Sequence, residues 1–368
     1  GYLYLRDVLR FAIVTEAVDH PEGQGHAVTP QRPLPPATAL VPEHLEPIPV
    51  IDTGPSFAMD TLLAEERRAH ELLELATTPV PSAALRQLDK VSRRWLAKWE
   101  NEHLAEIDAI AERLERPGAY FLSVNYEWAC TCRVAAAPDG RSARLVRVLD
   151  WRPAGLGRHL LAARVAGRHG RFVTLTWPGY TGVLTAMAPG RFSAALNQAP
   201  MRKALGFYAL DWAVSRRRVW TMPHPTPAHL LRSVFENATD FADAKERLTK
   251  SPISTPAIFS LAGTKAGQTA VIERTETDAR VHVGAHVAAN HWEAPGWRGR
   301  ARGQQSAERA AKMHGILPNL APDFSWLAPP ILNARTRVAM VADAALGRLV
   351  AQGFEAMQPA TLPLDLAD

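Results

Sequence analysis

The chain carries two cysteines, Cys130 and Cys132, one residue apart in Ala129-Cys130-Thr131-Cys132. A thiol attacks as the thiolate, so its neighbours decide whether it is reactive. Beyond a turn signal at Pro138 to Arg141 lies Arg147-Val148-Leu149-Asp150-Trp151. Two strands joined by that turn fold Arg147 and Asp150 back beside Cys130. A guanidinium there favours the thiolate, and a carboxylate can orient an amine or a thiol proton. The alternative for a free cysteine is a small buried apolar residue. A bridge between two thiols so close would close a very tight ring, and two cysteines give no disulfide framework. On a strand both thiols point to one face, so spacing alone does not choose the nucleophile.

The elements that must position this hairpin can be read from pattern. Residues 1–56 form a start and then an extended Pro-rich arm, with Pro21, Pro30, Pro33, Pro35, Pro36, Pro42, Pro47 and Pro49. Residues 57–78 carry Phe57, Leu62, Leu63, Leu72, Leu73 and Leu75 at helical spacing, broken by Pro79 and Pro81. A second helical stretch is predicted from a Ser82 cap to about Arg116, ended by Pro117-Gly118. From Ala119 the texture turns to strands, including 119–137, the arm to Trp151, 172–177, 182–187 and 191–196. Helices are predicted over 200–215 and 226–250, with Thr239 as a cap inside the latter. Strands return over 257–275 and 279–290, and helices over 304–314 and 336–355. This order predicts an α+β fold with stacked sheets and helices outside.

Composition narrows the function classes. The chain has 368 residues, is 47% hydrophobic and carries a formal charge of +5, which fits a large packed core. The basic runs at Arg216 to Trp220 and Arg298 to Arg302 are short, so no nucleic-acid partner is expected. No apolar run is long enough to span a bilayer. Gly1 to Val18 contains Arg6, Asp7, Arg10 and Glu16 and makes a poor signal peptide. The expectation is a cytoplasmic location, with a removed leader left open by the initial Gly. His224 and His229 lack partners at metal spacing and no nucleotide loop is present, so neither metal nor cofactor is expected.

These motifs together resemble the cysteine-type N-terminal-nucleophile (Ntn) hydrolases: acid ceramidase, N-acylethanolamine-hydrolysing acid amidase, choloylglycine hydrolase and penicillin V acylase. In that family the nucleophile begins a Cys-Thr-Ser or Cys-Thr-Gly strand, and Arg-Asn-x-Asp follows across a hairpin. This sequence has Cys130-Thr131-Cys132 and Arg147-Val148-Leu149-Asp150, with Val148 in place of Asn. Tyr126-Glu127 echoes the ceramidase branch. So does the run Gly179-Tyr180-Thr181-Gly182, Thr185, Pro189 and Phe192-Ser193. Asn197 follows, with Gln198 where relatives often carry Glu. Asn290-His291-Trp292 resembles the family's later Asn segment, and Ser306-Ala307-Glu308-Arg309 resembles the isopenicillin N acyltransferase branch. The match runs over most of residues 45–355.

The resemblance implies a four-layer αββα sandwich over 130–368, preceded by a helical α-subunit-like or propeptide-like segment over 57–129. It implies self-cleavage between Ala129 and Cys130, which frees an α-amine to act as base for its own thiol. Cys130 is then the nucleophile, Asp150 positions the amine and Arg147 stabilises the thiolate. Asn290 and the backbone near Asn197 bind the oxyanion, with Tyr180, His291 and Trp292 near the substrate. Arg302 and Arg309 both fit the last arginine of the motif set, and Arg309 is preferred. The implied substrate is a small linear N-acyl amide: a fatty-acid ethanolamide, a ceramide-like lipid or an N-acyl amino acid. The alternatives are an acyltransferase using a thioester donor, and a silent binding protein of the same fold. The N-terminal fragment is expected to stay bound after cleavage; in relatives this segment can cover the active site until then, and lifting that cover would open an apolar groove for peripheral membrane contact.

Overall fold

The computed structural model describes residues 45–77, 81–124 and 128–368. The chain start, most of the Pro-rich arm, Pro79 and Tyr126-Glu127 lie outside the described residues. The chain enters as β1 (Val50–Thr53). Helices α1 (Phe57–Ala64), α2 (Glu66–Thr77), α3 (Ser82–Lys98), α4 (Leu104–Leu114) and α5 (Ala119–Ser123) follow. Next come β2 (Trp128–Ala136), β3 (Ala143–Trp151), β4 (Leu161–Gly167), β5 (Gly170–Thr176), β6 (Thr185–Ala188) and β7 (Phe192–Gln198). Helices α6 (Tyr208–Val219), α7 (Pro227–Asn237) and α8 (Phe241–Lys250) lead to β8 (Ala257–Ala262), β9 (Thr269–Arg274), β10 (Ala279–Val283) and β11 (His286–Ala288). Helix α9 (Ser306–His314), β12 (Thr336–Asp343), β13 (Arg348–Glu355), β14 (Gln358–Pro359) and β15 (Leu364–Ala367) complete it.

Two sheets stack face to face. One runs β1-β4-β5-β6-β7-β8-β9-β10, the other β11-β2-β3-β12-β13-β14 with β15 paired to β13. Helices α7 and α8 cover the outer face of the first sheet and α9 that of the second, giving helix, sheet, sheet, helix. This is the α+β arrangement of stacked sheets with helices outside. Period-2 alternation decides what each residue faces. On β2, Cys130, Cys132 and Val134 enter the core between the sheets. On β3, Leu145 and Leu149 do the same, while Val146 and Val148 pack outward with Ala310 and Met313 of α9. Thr131, between the cysteines, therefore points toward α9.

Several local readings are corrected. Residues 119–123 form a short helix, and the nucleophile strand begins at Trp128. The strand at 161–167 was not foreseen. The helix expected from 200 starts at Tyr208. Pro81, not Ser82, stands at the N-cap of α3. Asp240 rather than Thr239 caps α8, its carboxylate accepting from the N–H groups of Ala242 and Asp243. The largest correction is 336–355, expected as a helix and found as the β12–β13 hairpin. Its Ala-rich run reads as helix, but every residue of β12 is buried. A strand covered on both faces loses the alternation that would identify it.

The helical segment before β2 is held to the sheets by buried polar contacts. Arg232 of α7 donates to Glu106 of α4 at 2.6 Å and to the Pro55 carbonyl at 2.8 Å, and lies 4.5 Å over the Phe57 ring. His103 N–H donates to Asn101 Oδ1 at 2.8 Å, which turns Asn101 Nδ2 toward His229 Nδ1 at 3.4 Å. His229 Nε2 meets Thr181 Oγ1 at 3.0 Å, so the ring is held neutral. Burial, with Arg232 adding to it, pushes the His229 pKa from 6.5 down to about 3. A histidine depressed in the folded state contributes stability above its unfolded pKa and loses it as pH falls toward the folded one. Stability is thus expected to fall as pH drops from about 6.5 toward 3, and His229→Gln to flatten that slope. Urea midpoints across this range check it; an unchanged slope in the variant would contradict the assignment.

Candidate active site

The β2–β3 register sets Ala129 opposite Asp150, Cys130 opposite Leu149 and Cys132 opposite Arg147. Cys130 is fully buried. Its Sγ–H donates to the Leu196 carbonyl at 3.7 Å and its backbone N–H to Asn290 Oδ1 at 2.8 Å. Burial pushes the Cys130 thiol up to about 12; Arg147 opposes this, while Cys132 and Asp150 add to it. In the uncut chain the thiol is therefore protonated.

Arg147 and Asn197 belong to the Cys132 side of the site. Arg147 Nη1 donates to Asn197 Oδ1 at 2.7 Å and to Cys132 Sγ at 3.5 Å, and Cys132 Sγ–H donates to Asn197 Oδ1 at 3.0 Å. Asn197 Nδ2 reaches across to the carbonyls of Ala288 and Ala289 at 3.0 and 3.1 Å. Its side chain thus ties β7 to the strand leading to Asn290.

Arg309 and Asn290 hold the two backbone groups of Cys130, Asn290 its N–H and Arg309 its carbonyl. Arg309, 1% exposed, donates through Nη1 to the Cys130 carbonyl and Thr131 Oγ1, both at 2.6 Å, and through Nη2 to Asn290 Oδ1 at 3.0 Å. Asn290 Nδ2 donates to the Gln198 carbonyl at 2.8 Å and its N–H to Ser306 Oγ at 2.9 Å. Gln198 Oε1 accepts from the Trp128 N–H at 3.0 Å, fixing the strand before the peptide. Arg302 stands behind: its Nε donates to the Ala199 carbonyl at 3.1 Å.

Asp150 lies on the far side of Arg309, its Oδ2 3.9 Å from Nη1. Thr336 Oγ1 donates to it at 2.9 Å and Asn333 Nδ2 at 3.0 Å. Burial pushes its pKa up, while Arg309 and these two donors hold it down. His291 acts at one remove: its Nδ1 meets Ser306 Oγ at 2.8 Å and its Nε2 meets Glu293 at 3.1 Å. Tyr180 is edge-on to Trp151, whose ring also meets Trp128, and Trp292 is edge-on to Trp297. Among the described residues no group of three or more His, Cys, Asp or Glu is placed to hold a metal ion.

Sequence reasoning passed over Thr336 because its segment reads as helix, and over Asn333 because no motif or pattern singles it out. It also passed over Gly303, whose φ is +68° and where a Cβ would lie 2.4 Å from that of Ala129. Gly303→Ala is expected to lower stability by about 1–3 kcal/mol through the left-handed backbone alone. It should also slow cutting at Ala129 at least tenfold. A Tm scan and a cleavage time course check both, and wild-type cleavage in the variant would remove Gly303 from the site.

No family model matches the chain. Sequence comparison finds acid ceramidase from Balaenoptera acutorostrata scammoni, 36% identical over 104 residues, and from Homo sapiens, 35% over 103. Each match covers 28% of this chain and 25% of the relative, so the chain spans about a quarter of the length of the curated relatives it matches. Similar solved structures include a Caenorhabditis elegans N-acylethanolamine-hydrolyzing acid amidase ortholog, 21% identical over 59% of this chain and 94% of that one, TM-score 0.47. Another is a conjugated bile acid hydrolase mutant from Clostridium perfringens, 10% identical over 65% of this chain and 92% of that one, TM-score 0.38. The sequence likeness is to acid ceramidase, one branch of the cysteine-type Ntn hydrolases that the motifs resemble.

Proposed function

We propose that this chain is a self-activating cysteine amidohydrolase that cuts before Cys130 and then hydrolyses a linear N-acyl amide. One observation carries the reading: Asn290 and Arg309 hold the two backbone groups of Cys130 while the Cys130 thiol stands on the same residue. In the first step Cys130 Sγ bonds to the Ala129 carbonyl carbon, the C–N bond breaks, and the nitrogen takes up the thiol proton. Water then hydrolyses the thioester, leaving the Ala129 carboxylate and the free Cys130 amine. That amine, with a reference pKa of about 7.7–8, serves as base for the thiol near neutral pH. Asn290 Oδ1, already 2.8 Å from this nitrogen, holds it. Arg309 and Asp150 fix Asn290 and the strand, and Arg147 favours the thiolate. Asn290 Nδ2 has a second N–H beside the one the Gln198 carbonyl takes, and this N–H would serve the oxyanion, a contact worth about 3 kcal/mol of transition-state stabilisation.

The name its relatives carry supports a fatty N-acyl amide as substrate. The contacts of Arg232 with Glu106 and Pro55 support retention of the N-terminal fragment. Exposed Leu205, Phe207, Leu210 and Val214 support contact with a membrane surface; equal activity on soluble and vesicle-borne substrate would count against that. Ser306 and Arg309, both bonded to Asn290, favour acyl transfer as a second reading. Fatty-acid release from N-dodecanoylethanolamine by the cut enzyme, with and without an added amine, separates the two. Release to water supports the hydrolase, and product formed only with the amine supports transfer. No turnover of either kind would overturn both.

A further inference from the structure

Asp150 is buried on β3, and both of its oxygens are met by neutral donors from one short loop. Asn333 Nδ2 donates to Oδ2 at 3.0 Å and Thr336 Oγ1 to Oδ1 at 2.9 Å. The loop aims both donors. Asn333 Oδ1 accepts from the Arg335 N–H at 2.9 Å, which turns Nδ2 toward the carboxylate. The Asn333 N–H donates to Thr336 Oγ1 at 3.0 Å, so that oxygen accepts there and has its single proton left to give. Asp150 takes this proton at 2.9 Å, ahead of the Ile331 carbonyl at 3.3 Å. Thr336 is also the cross-strand partner of Asp150, and the β12 register shifts just after it, between Thr336 and Val338. Irregularities of this kind re-aim side chains. Arg337, the residue at the shift, pairs with Glu355 at 3.1 Å.

We infer that Asn333 and Thr336 are positioning residues for the chemistry at Cys130: they keep the Asp150 carboxylate ionised in a dry interior, and so set how far into acid the site works. The inference rests on the self-activating amidohydrolase reading and names what limits it at low pH. The charged and titratable groups that face Asp150 are Arg309 of α9, Arg147 of its own strand, Arg337 of β12 and the Cys130 thiol of β2. Burial drives a carboxylate toward its neutral acid, and donors to both oxygens oppose that. In Asp150 burial pushes the pKa up, and Arg309, Asn333, Thr336 and Arg147 oppose it. The ionised form is the useful one. Ala129 pairs with Asp150 in the register, so the cut frees the Cys130 amine on the strand beside this carboxylate. The same charge faces Arg309, which holds the Cys130 carbonyl and Thr131. As pH falls and Asp150 takes a proton, both services are lost. Removing a donor raises the pKa further and moves that loss to higher pH.

The uncut Cys130→Ala chain, with carbon-13 at its Asp carboxyls, reports the titration of Asp150 directly, and Asp150→Asn assigns its signal. Asn333→Ala and, separately, Thr336→Val should each raise the proton affinity of Asp150 about tenfold, the typical worth of a hydrogen bond to a charged group. Thr336→Ser, which keeps the hydroxyl, should titrate as the parent chain does. With Cys130 intact, the acid limb of self-cleavage should move to higher pH in the first two variants and stay in place in the third. The rate of each should recover toward wild type as pH is raised. An Asp150 signal that titrates alike in the parent and in all three variants, or a cleavage rate lowered by one factor at every pH, would overturn the inference. A wild-type chain that never cuts would instead remove the amidohydrolase reading, and the carboxyl titration would still decide what Asn333 and Thr336 do to Asp150.

Discussion

Replacing Arg309 with Met is expected to abolish self-cleavage on the laboratory timescale and to destabilise the chain. The guanidinium is buried, donates to the Cys130 carbonyl, Thr131 and Asn290, and faces the buried Asp150 carboxylate at 3.9 Å. Removing one partner of a buried ion pair costs about 3–5 kcal/mol, because the other charge is left behind. The cleavage rate should fall by about a hundredfold, because Asn290 and the Cys130 strand lose the contacts that hold the thiol and the scissile peptide in place. Arg309→Lys keeps the charge but cannot make the forked contacts, so stability should partly return and cleavage should not. Arg302→Met, which removes an Nε bonded to the Ala199 carbonyl, should leave cleavage within about tenfold of wild type, since it breaks no direct contact with Cys130. Reversed effects of the two arginines in a cleavage time course would assign the role to Arg302.

Arg147→Met is expected to have opposite effects on stability and on chemistry. Arg147 is fully buried, its Nη1 donates to Asn197 and Cys132, and among the described residues its Nε and Nη2 have no hydrogen-bond partner. Burying a cation whose Nε and Nη2 N–H groups lack partners among the described residues costs the hydration that they lose. The variant should therefore melt higher than wild type. Arg147 is also the largest influence opposing the burial that raises the Cys130 thiol pKa. Each unit gained by the thiol removes about tenfold of thiolate, so self-cleavage should slow by about tenfold to a hundredfold. Parallel melting and cleavage measurements test this. A lower Tm with unchanged cleavage would make Arg147 a structural residue.

The site was legible in the sequence where it lies on one hairpin. The turn at 138–141 and the two apolar arms place Arg147 and Asp150 on the strand beside Cys130, as the register has them. The stacked sheets and outer helices also followed from the order of elements. What was not legible depends on distant packing. Asp150 is held by Asn333 and Thr336, and Thr336 pairs with it across β12. That strand was hidden because burial on both faces erases period 2. Spacing left the two thiols equivalent, and their partners separate them: Cys130 bonds Leu196 and Asn290, whereas Cys132 bonds Asn197 and Arg147. Spacing equally left Arg302 and Arg309 open, because helix α9 must dock on β2 before one guanidinium reaches Thr131.

The intact mass of purified protein, followed over a range of pH beside a Cys130→Ala control, tests the central claim most directly. The account predicts two fragments, the larger beginning at Cys130, that stay associated in the wild type and never form in the control. A single uncut wild-type chain under every condition, or cutting that persists in the control, would contradict it.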